Sequence, residues 1–325
     1  MPDIPGHTLP TYSEEACDDA LFHYTTGSGL LGIVLNNELW STAYYCANDE
    51  SELKAGKGVL TPTFRNKTHE LIQSGDRRVE IFRNRGVDIL DYADNFEQHL
   101  FSFALNFFCV YITCFCRALS KEDFQHGLLS QWRGYGLDGG YAIQFSRKRL
   151  RENMTEANKS VGVNYELEDV FYEPANRFKE DVDKHSDAYV GAYLSHLDML
   201  VEAKFDKPIR NPIADLTGGP LESLLDYLIH TKSPHFTEER EARLSVLEPV
   251  RTDGAKLGVE FLNRDGLIVP YVKAPAEFDV LSCIDWIIVG PSPRIEARFA
   301  STLQLVRNRG LDIKVRPSHI PFSRS

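Results

Sequence analysis

No run of apolar residues in this 325-residue chain approaches the roughly 20 needed to cross a bilayer as a helix, so no membrane-spanning helix is expected. The stretch 1–9 holds Pro, Asp and Gly where a secretory leader would hold basic and then apolar residues. The chain therefore reads as cytoplasmic. Zinc spacing is missing as well. Cys114 and Cys116 stand two apart, but no second pair and no His cluster completes a ligand set, and there is no HExxH, so no metal is expected. A serine hydrolase has no anchor without GxSxG. Positive charge is in short supply, with 36 Lys and Arg against 47 Asp and Glu and a net charge of −11. That balance argues against general binding to nucleic acid or to an anionic membrane, while leaving room for a local basic groove.

What is present fits a folded globular protein. Hydrophobic residues make up 42% and charged residues 26%, close to the usual values. A chain of this length can bury a core without a disulfide or metal. The six cysteines (Cys17, Cys46, Cys109, Cys114, Cys116 and Cys283) read as reduced thiols, and three of them fall in one apolar run.

Residues 1–20 read as an N-terminal arm and 21–325 as a single α+β domain of catalytic type. Strands are expected at 21–25, 38–42, 109–116, 139–145, 161–172, 239–246, 257–261, 266–272, 284–289 and 312–315. Helices are expected at 29–36, 66–85, 88–108, 176–205, 221–231 and 295–308. The helix at 88–108 is marked by Ile89, Tyr92, Phe96, Leu100, Phe103 and Phe107, which recur every three or four positions. The three prolines and adjacent glycines of 206–220 read as a loop. Strand runs clustered late, with helices elsewhere, point to α+β rather than βαβ alternation.

Four motifs stand out. Gly27-Ser28-Gly29-Leu30-Leu31-Gly32 follows a strand and opens a helix, as in a dinucleotide-binding turn, with Asp49 and Glu50 further on. The surrounding chain lacks the regular alternation that a doubly wound sheet needs, so a Rossmann-type oxidoreductase stays the lesser alternative. His23 ends a short strand among aromatics, a place where histidine also serves simple packing. In Leu129-Ser130-Gln131-Trp132-Arg133-Gly134-Tyr135, Arg can grip phosphate bidentately while the aromatics can stack on flat rings. The same residues could equally cap a sheet. In Glu239-Arg240-Glu241-Ala242-Arg243, strand alternation puts Glu239, Glu241 and Arg243 on one face, which reads either as a solvated face or as a reactive one.

These residues, with Glu38-Leu39-Trp40, Asn48-Asp49-Glu50-Ser51-Glu52, Cys114-Phe115-Cys116, Ile288-Val289-Gly290-Pro291 and Ser318-His319-Ile320-Pro321, resemble a bacterial family catalogued as domain of unknown function 2971. The resemblance runs over about 21–322. Phe236 stands where that family often has Trp, and 53–108 has no counterpart and reads as a helical insertion.

A further resemblance, to ADP-ribosyltransferase-like folds, implies split mixed β-sheets with surrounding helices, an early strand carrying His and a late strand carrying a catalytic Glu. It implies NAD as substrate, cleaved by an ADP-ribosyltransferase or NAD glycohydrolase, such as a toxin or phage-defence effector. Glu241 and Glu239 would then be catalytic, and His23, Tyr24, Thr25, Arg133 and Tyr135 would hold the dinucleotide. The acceptor would be protein or nucleic acid, with a regulatory partner protein. A nucleotide-binding sensor without turnover is the alternative from another class. Pairing of Arg243 with Glu241 as a structural partner would silence the transferase reading.

Overall fold

A computed structural model describes residues 9–46, 58–135, 139–161, 164–172, 174–202, 216, 219–249, 257–264 and 266–320. The strands are β1 (Ala20–Thr25), β2 (Trp40–Ala43), β3 (Phe108–Arg117), β4 (Tyr141–Ser146), β5 (Tyr165–Asp169), β6 (Glu241–Pro249), β7 (Val259–Arg264), β8 (Leu267–Lys273), β9 (Ile284–Val289) and β10 (Lys314–Pro317). The helices are α1 (Glu14–Asp19), α2 (Gly27–Asn36), α3 (Thr61–Gln73), α4 (Arg77–Asn84), α5 (Ile89–Phe107), α6 (Lys121–His126), α7 (Leu129–Tyr135), α8 (Arg147–Val161), α9 (Pro174–Glu202), α10 (Gly219–Ile229) and α11 (Ile295–Asn308).

The strands form one mixed sheet, whose main path runs β10-β9-β4-β1-β3-β2-β8-β7. Among the named strands of the described residues, only the β9–β10 pairing is parallel and the others are antiparallel; an isolated parallel bridge joins Phe171 and Thr231. The expected α+β class is borne out. A doubly wound sheet is not: β1, which precedes the glycine motif, pairs antiparallel with both β3 and β4. The Rossmann alternative fails on that pairing, because its turn must join parallel strands.

β3 is where the sheet forks. β6 pairs with it from Phe108 through Cys116, which fills one edge. β1 takes the other edge only at Cys116 and Arg117, and β2 only at Tyr111 and Ile112. Between those two stretches neither β1 nor β2 pairs with Thr113, Cys114 or Phe115, and side chains reach in. Thr113 Oγ1 donates to the Trp40 carbonyl (3.0 Å) and lies 2.8 Å from Ser41 Oγ. The Cys114 carbonyl is met by His23 Nδ1 at 3.0 Å. Orphaned backbone groups in a sheet interior need such partners.

Because partners in register share a face, Phe22, Cys116 and Glu241 lie on one face and Leu21, Phe115 and Ala242 on the other. The second face packs Leu21, Phe115, Phe145 and Leu244 against Ile33 and Val34 of α2, Leu150 of α8 and Phe299 of α11. The first face has two covers. Phe22, Tyr24, Cys116 and Ile288 lie beneath Phe124 and Trp132. Val110 and Ile112 lie beneath a helical layer built on Phe64, Phe82, Phe96, Tyr193 and Leu228.

The helical layer takes up most of the segment expected to be an insertion. Glu97, buried in α5, fastens the start of α3 by accepting from the backbone N–H groups of Gly58, Val59, Leu60 and Thr61. A carboxylate there satisfies the orphan donors of a helix start.

Several local expectations need correcting. Helix α8 occupies residues that carried no helix in the sequence reading, and Leu129–Tyr135 is a helix. The arm contains α1, capped by Ser13, with Cys17 in the core. Glu239 is not on the strand, since Pro234–Glu239 forms a 3-10 turn. The loop expected at 206–220 falls largely outside the described residues, as do 47–57 with Asn48-Asp49-Glu50-Ser51-Glu52.

Candidate functional site

β6 opens with Glu241 and Arg243 on the face of β3 that carries Cys116 and Cys114. The solvated reading of that face fails, since Glu241 is 3% exposed and Arg243 fully buried. The two are joined twice, by Arg243 Nε to Glu241 Oε1 at 2.6 Å and by Arg243 Nη2 to Oε2 at 3.1 Å. Arg243 also donates to the Ile229 carbonyl and stacks its guanidinium on Tyr44.

Lys232, itself buried, reaches Glu241 Oε2 at 3.0 Å and Glu239 Oε2 at 2.7 Å, with its ammonium over the Phe236 ring. The Glu241 backbone N–H donates to Tyr172 Oη at 2.8 Å. Among the described residues two carboxylates thus meet two cations, the charge balance that a low-dielectric setting favours.

Burial opposes the charge on Glu241. The Arg243 guanidinium, Lys232 and a hydrogen bond from the Cys114 thiol outweigh it and hold the carboxyl at about 2. A carboxylate offers about four lone-pair positions. Arg243 takes two, Lys232 a third and the Cys114 thiol a fourth. Glu241 is therefore saturated by its own neighbours, and its ordinary duty is structural. Glu239 differs, with its side chain 25% exposed. Arg240 between them adopts a left-handed backbone (φ 40°), which is costly for a non-glycine residue and often found at functional turns.

The two thiols of β3 have different fates. Cys116 is buried, and burial with the charges of Glu241 and Glu239 pushes its thiol well above the usual range, so it stays protonated and inert. Cys114 falls in the apolar run yet is exposed, while Ile112 and Cys116 on the same face are buried. The cover over this face opens there.

The candidate residues are distributed unevenly. His23 begins on the opposite face from Glu241 and turns its ring to the fork. There Nδ1–H donates to the Cys114 carbonyl, leaving Nε2 as an acceptor. Burial lowers its pKa, offset in part by that carbonyl.

Tyr24 is a core residue: its oxygen accepts from the Leu128 N–H at 2.7 Å, and its ring lies edge-on to Trp132 at 5.0 Å. Thr25 packs where a Cβ on Gly29 would stand. Trp132 is likewise core, donating to the His126 carbonyl. A Cβ on Gly290 would stand 2.7 Å from the Trp132 ring, so glycine there makes room for the indole. Arg133 is exposed and its side chain has no hydrogen-bond or ion-pair partner among the described residues. The side chain of Tyr135 lies outside the described residues.

Of the expected set, the structure brings together Glu239 and Glu241, with His23 linked to them only through Cys114. Sequence reasoning missed Lys232 and Tyr172. Neither sits in a pattern that would have marked it.

A family model described as Protein of unknown function (DUF2971) matches residues 131–244. The match begins at Gln131 in α7 and ends at Leu244 in β6, so it includes Trp132, Arg133, Lys232 and the Glu239–Arg243 segment. It bears out the resemblance to that family. No curated protein and no solved structure matches the chain. Among the described residues, no helix is long and apolar enough to cross a membrane.

Proposed function

We propose that the opening at Cys114 receives NAD, and that the chain cleaves the bond between nicotinamide and ribose there, as an ADP-ribosyltransferase or NAD glycohydrolase. One observation carries the reading. A single exposed strand residue, Cys114, is met on its carbonyl by His23 and on its thiol by Glu241. The two residue types that the resemblance requires therefore converge on one point, from strands on either side of β3.

Breaking that bond develops positive charge on the ribose, which a nearby carboxylate stabilises. Glu241 is saturated, so this role passes to Glu239, which Lys232 holds and the left-handed Arg240 turns off the strand. His23 Nε2 accepts from a ribose hydroxyl, and the exposed Arg133 binds the pyrophosphate. The attacking group is water in the glycohydrolase, or a protein or nucleic acid acceptor in the transferase.

The second reading is a nucleotide sensor without turnover, and the saturation of Glu241 favours it. Chromatographic measurement of nicotinamide released from NAD separates the two, alone and with lysate as acceptor source. Release by the wild type and loss in Glu239→Gln supports cleavage. Calorimetric NAD binding without release supports the sensor, and neither binding nor release rejects both.

A further inference from the structure

A half-open groove lies on the helical layer, lined by Phe171, Phe178, Asp181, Asp226, Tyr227 and His230, with Ser223 beside them. Ser223, Asp226 and His230 fall on one face of α10 and its continuation, being three and then four residues apart. His230 is 1% exposed. Its Nδ1–H donates to Asp226 Oδ1 at 2.8 Å and to the Asp226 carbonyl at 3.1 Å, which fixes the ring and commits that nitrogen. The backbone is fixed too, because Phe171 N–H donates to the His230 carbonyl and Lys232 N–H to the Phe171 carbonyl. Nε2 is buried and has no hydrogen-bond partner among the described residues. With Nδ1 as the donor it is an acceptor, and buried acceptors without partners are rare enough to call for an explanation.

The chemistry of the walls narrows the ligand. Two carboxylates, Asp181 and Asp226, line the pocket with no Lys or Arg among the lining residues. Phosphates and carboxylic acids are disfavoured by that charge. Phe178 and Tyr227 stack on each other at 3.8 Å and, with Phe171, give an aromatic wall that suits an apolar body or a cation.

We propose that this pocket is a second ligand site, for a small organic cation such as a protonated amine or guanidinium on a short apolar chain. Its N–H groups donate to His230 Nε2 and to the Asp181 and Asp226 carboxylates, and its apolar body lies on the aromatic wall. The pocket shares no lining residue with the Glu241 network, although His230 and Thr231 lie between that network's Ile229 and Lys232; its occupancy does not depend on NAD chemistry.

The test follows the His230 ring signals by NMR in the full chain, assigned through His230→Gln, while n-butylguanidinium is added. n-Butanol and butyrate serve as controls. A saturable shift is expected with an affinity of about millimolar, as for fragments of this size. It should weaken at least about fivefold in Asp181→Asn, a variant whose melting curve checks that the fold is intact. Butyrate should leave the ring signals unmoved. An equal response to butanol would overturn the assignment to cations. No saturable shift up to about 50 mM, beyond the range such fragments need, would reject the site.

Discussion

Glu241→Gln removes the charge at the centre of the β6 network while keeping its shape. Arg243, fully buried, then loses the carboxylate that it meets through two hydrogen bonds, whereas Lys232 keeps Glu239. Breaking a buried pair by removing one partner costs about 3–5 kcal/mol, because the other charge is left uncompensated. At about 2 °C per kcal/mol, the lower end of the range and fitting for a long chain, melting should fall by about 6–10 °C. Arg243→Met leaves Glu241 with Lys232 and the Cys114 thiol and should cost less than Glu241→Gln. The double variant should cost less than the two singles together, with a coupling of at least about 2 kcal/mol. Urea unfolding of the four proteins measures this directly. A Glu241→Gln protein as stable as the wild type would refute the structural assignment. It would return Glu241 to the reactive role, since carboxylates kept for function are often neutral or costly to stability.

The same network predicts a pH dependence. Glu241 sits at about 2 in the folded chain against an ordinary 4.5. Its contribution is therefore fully present above about pH 4.5 and is lost as pH falls toward 2. At about 1.4 kcal/mol per tenfold in acidity it amounts to on the order of 3 kcal/mol, and Glu241→Gln should flatten that part of the stability–pH curve. Trp132→Ala removes a fully buried indole and should cost about 3–5 kcal/mol in urea unfolding. His23→Ala strands the Cys114 carbonyl at the fork and should cost about 1–3 kcal/mol. It should also weaken NAD binding by calorimetry.

Much of the scaffold was legible from sequence. The apolar stripe of α5, the long buried run of β3 and the amphipathic pattern of α11 all announced their elements, because burial on one face imposes a period. Helix α8 was hidden because Arg147–Val161 is rich in charge and amide side chains, with few apolar residues to mark a stripe. The 3-10 turn before β6 was hidden because Glu239 and Glu241 alternate as strand residues do. Only the left-handed Arg240 breaks the pattern, and no residue type there foretells it.

The site was less legible still. Residue types and chain order singled out His23 and Glu241, but not that the fork sets them on opposite faces. Nor did spacing show that Lys232, nine residues before Glu241, would fold back and saturate it. Charges on a strand face look alike whether water or a helical layer covers them, and the helices that bury this face lie far away in sequence.

The most direct test of the claim that NAD occupies the opening at Cys114 is the rate at which that thiol is alkylated, followed by peptide mass spectrometry with and without NAD. Cys114 is exposed, whereas Cys116 and Cys283 are buried and serve as internal references. The account predicts that saturating NAD slows labelling of Cys114 severalfold and leaves the less exposed thiols unchanged. An unchanged Cys114 rate under saturating NAD would contradict it.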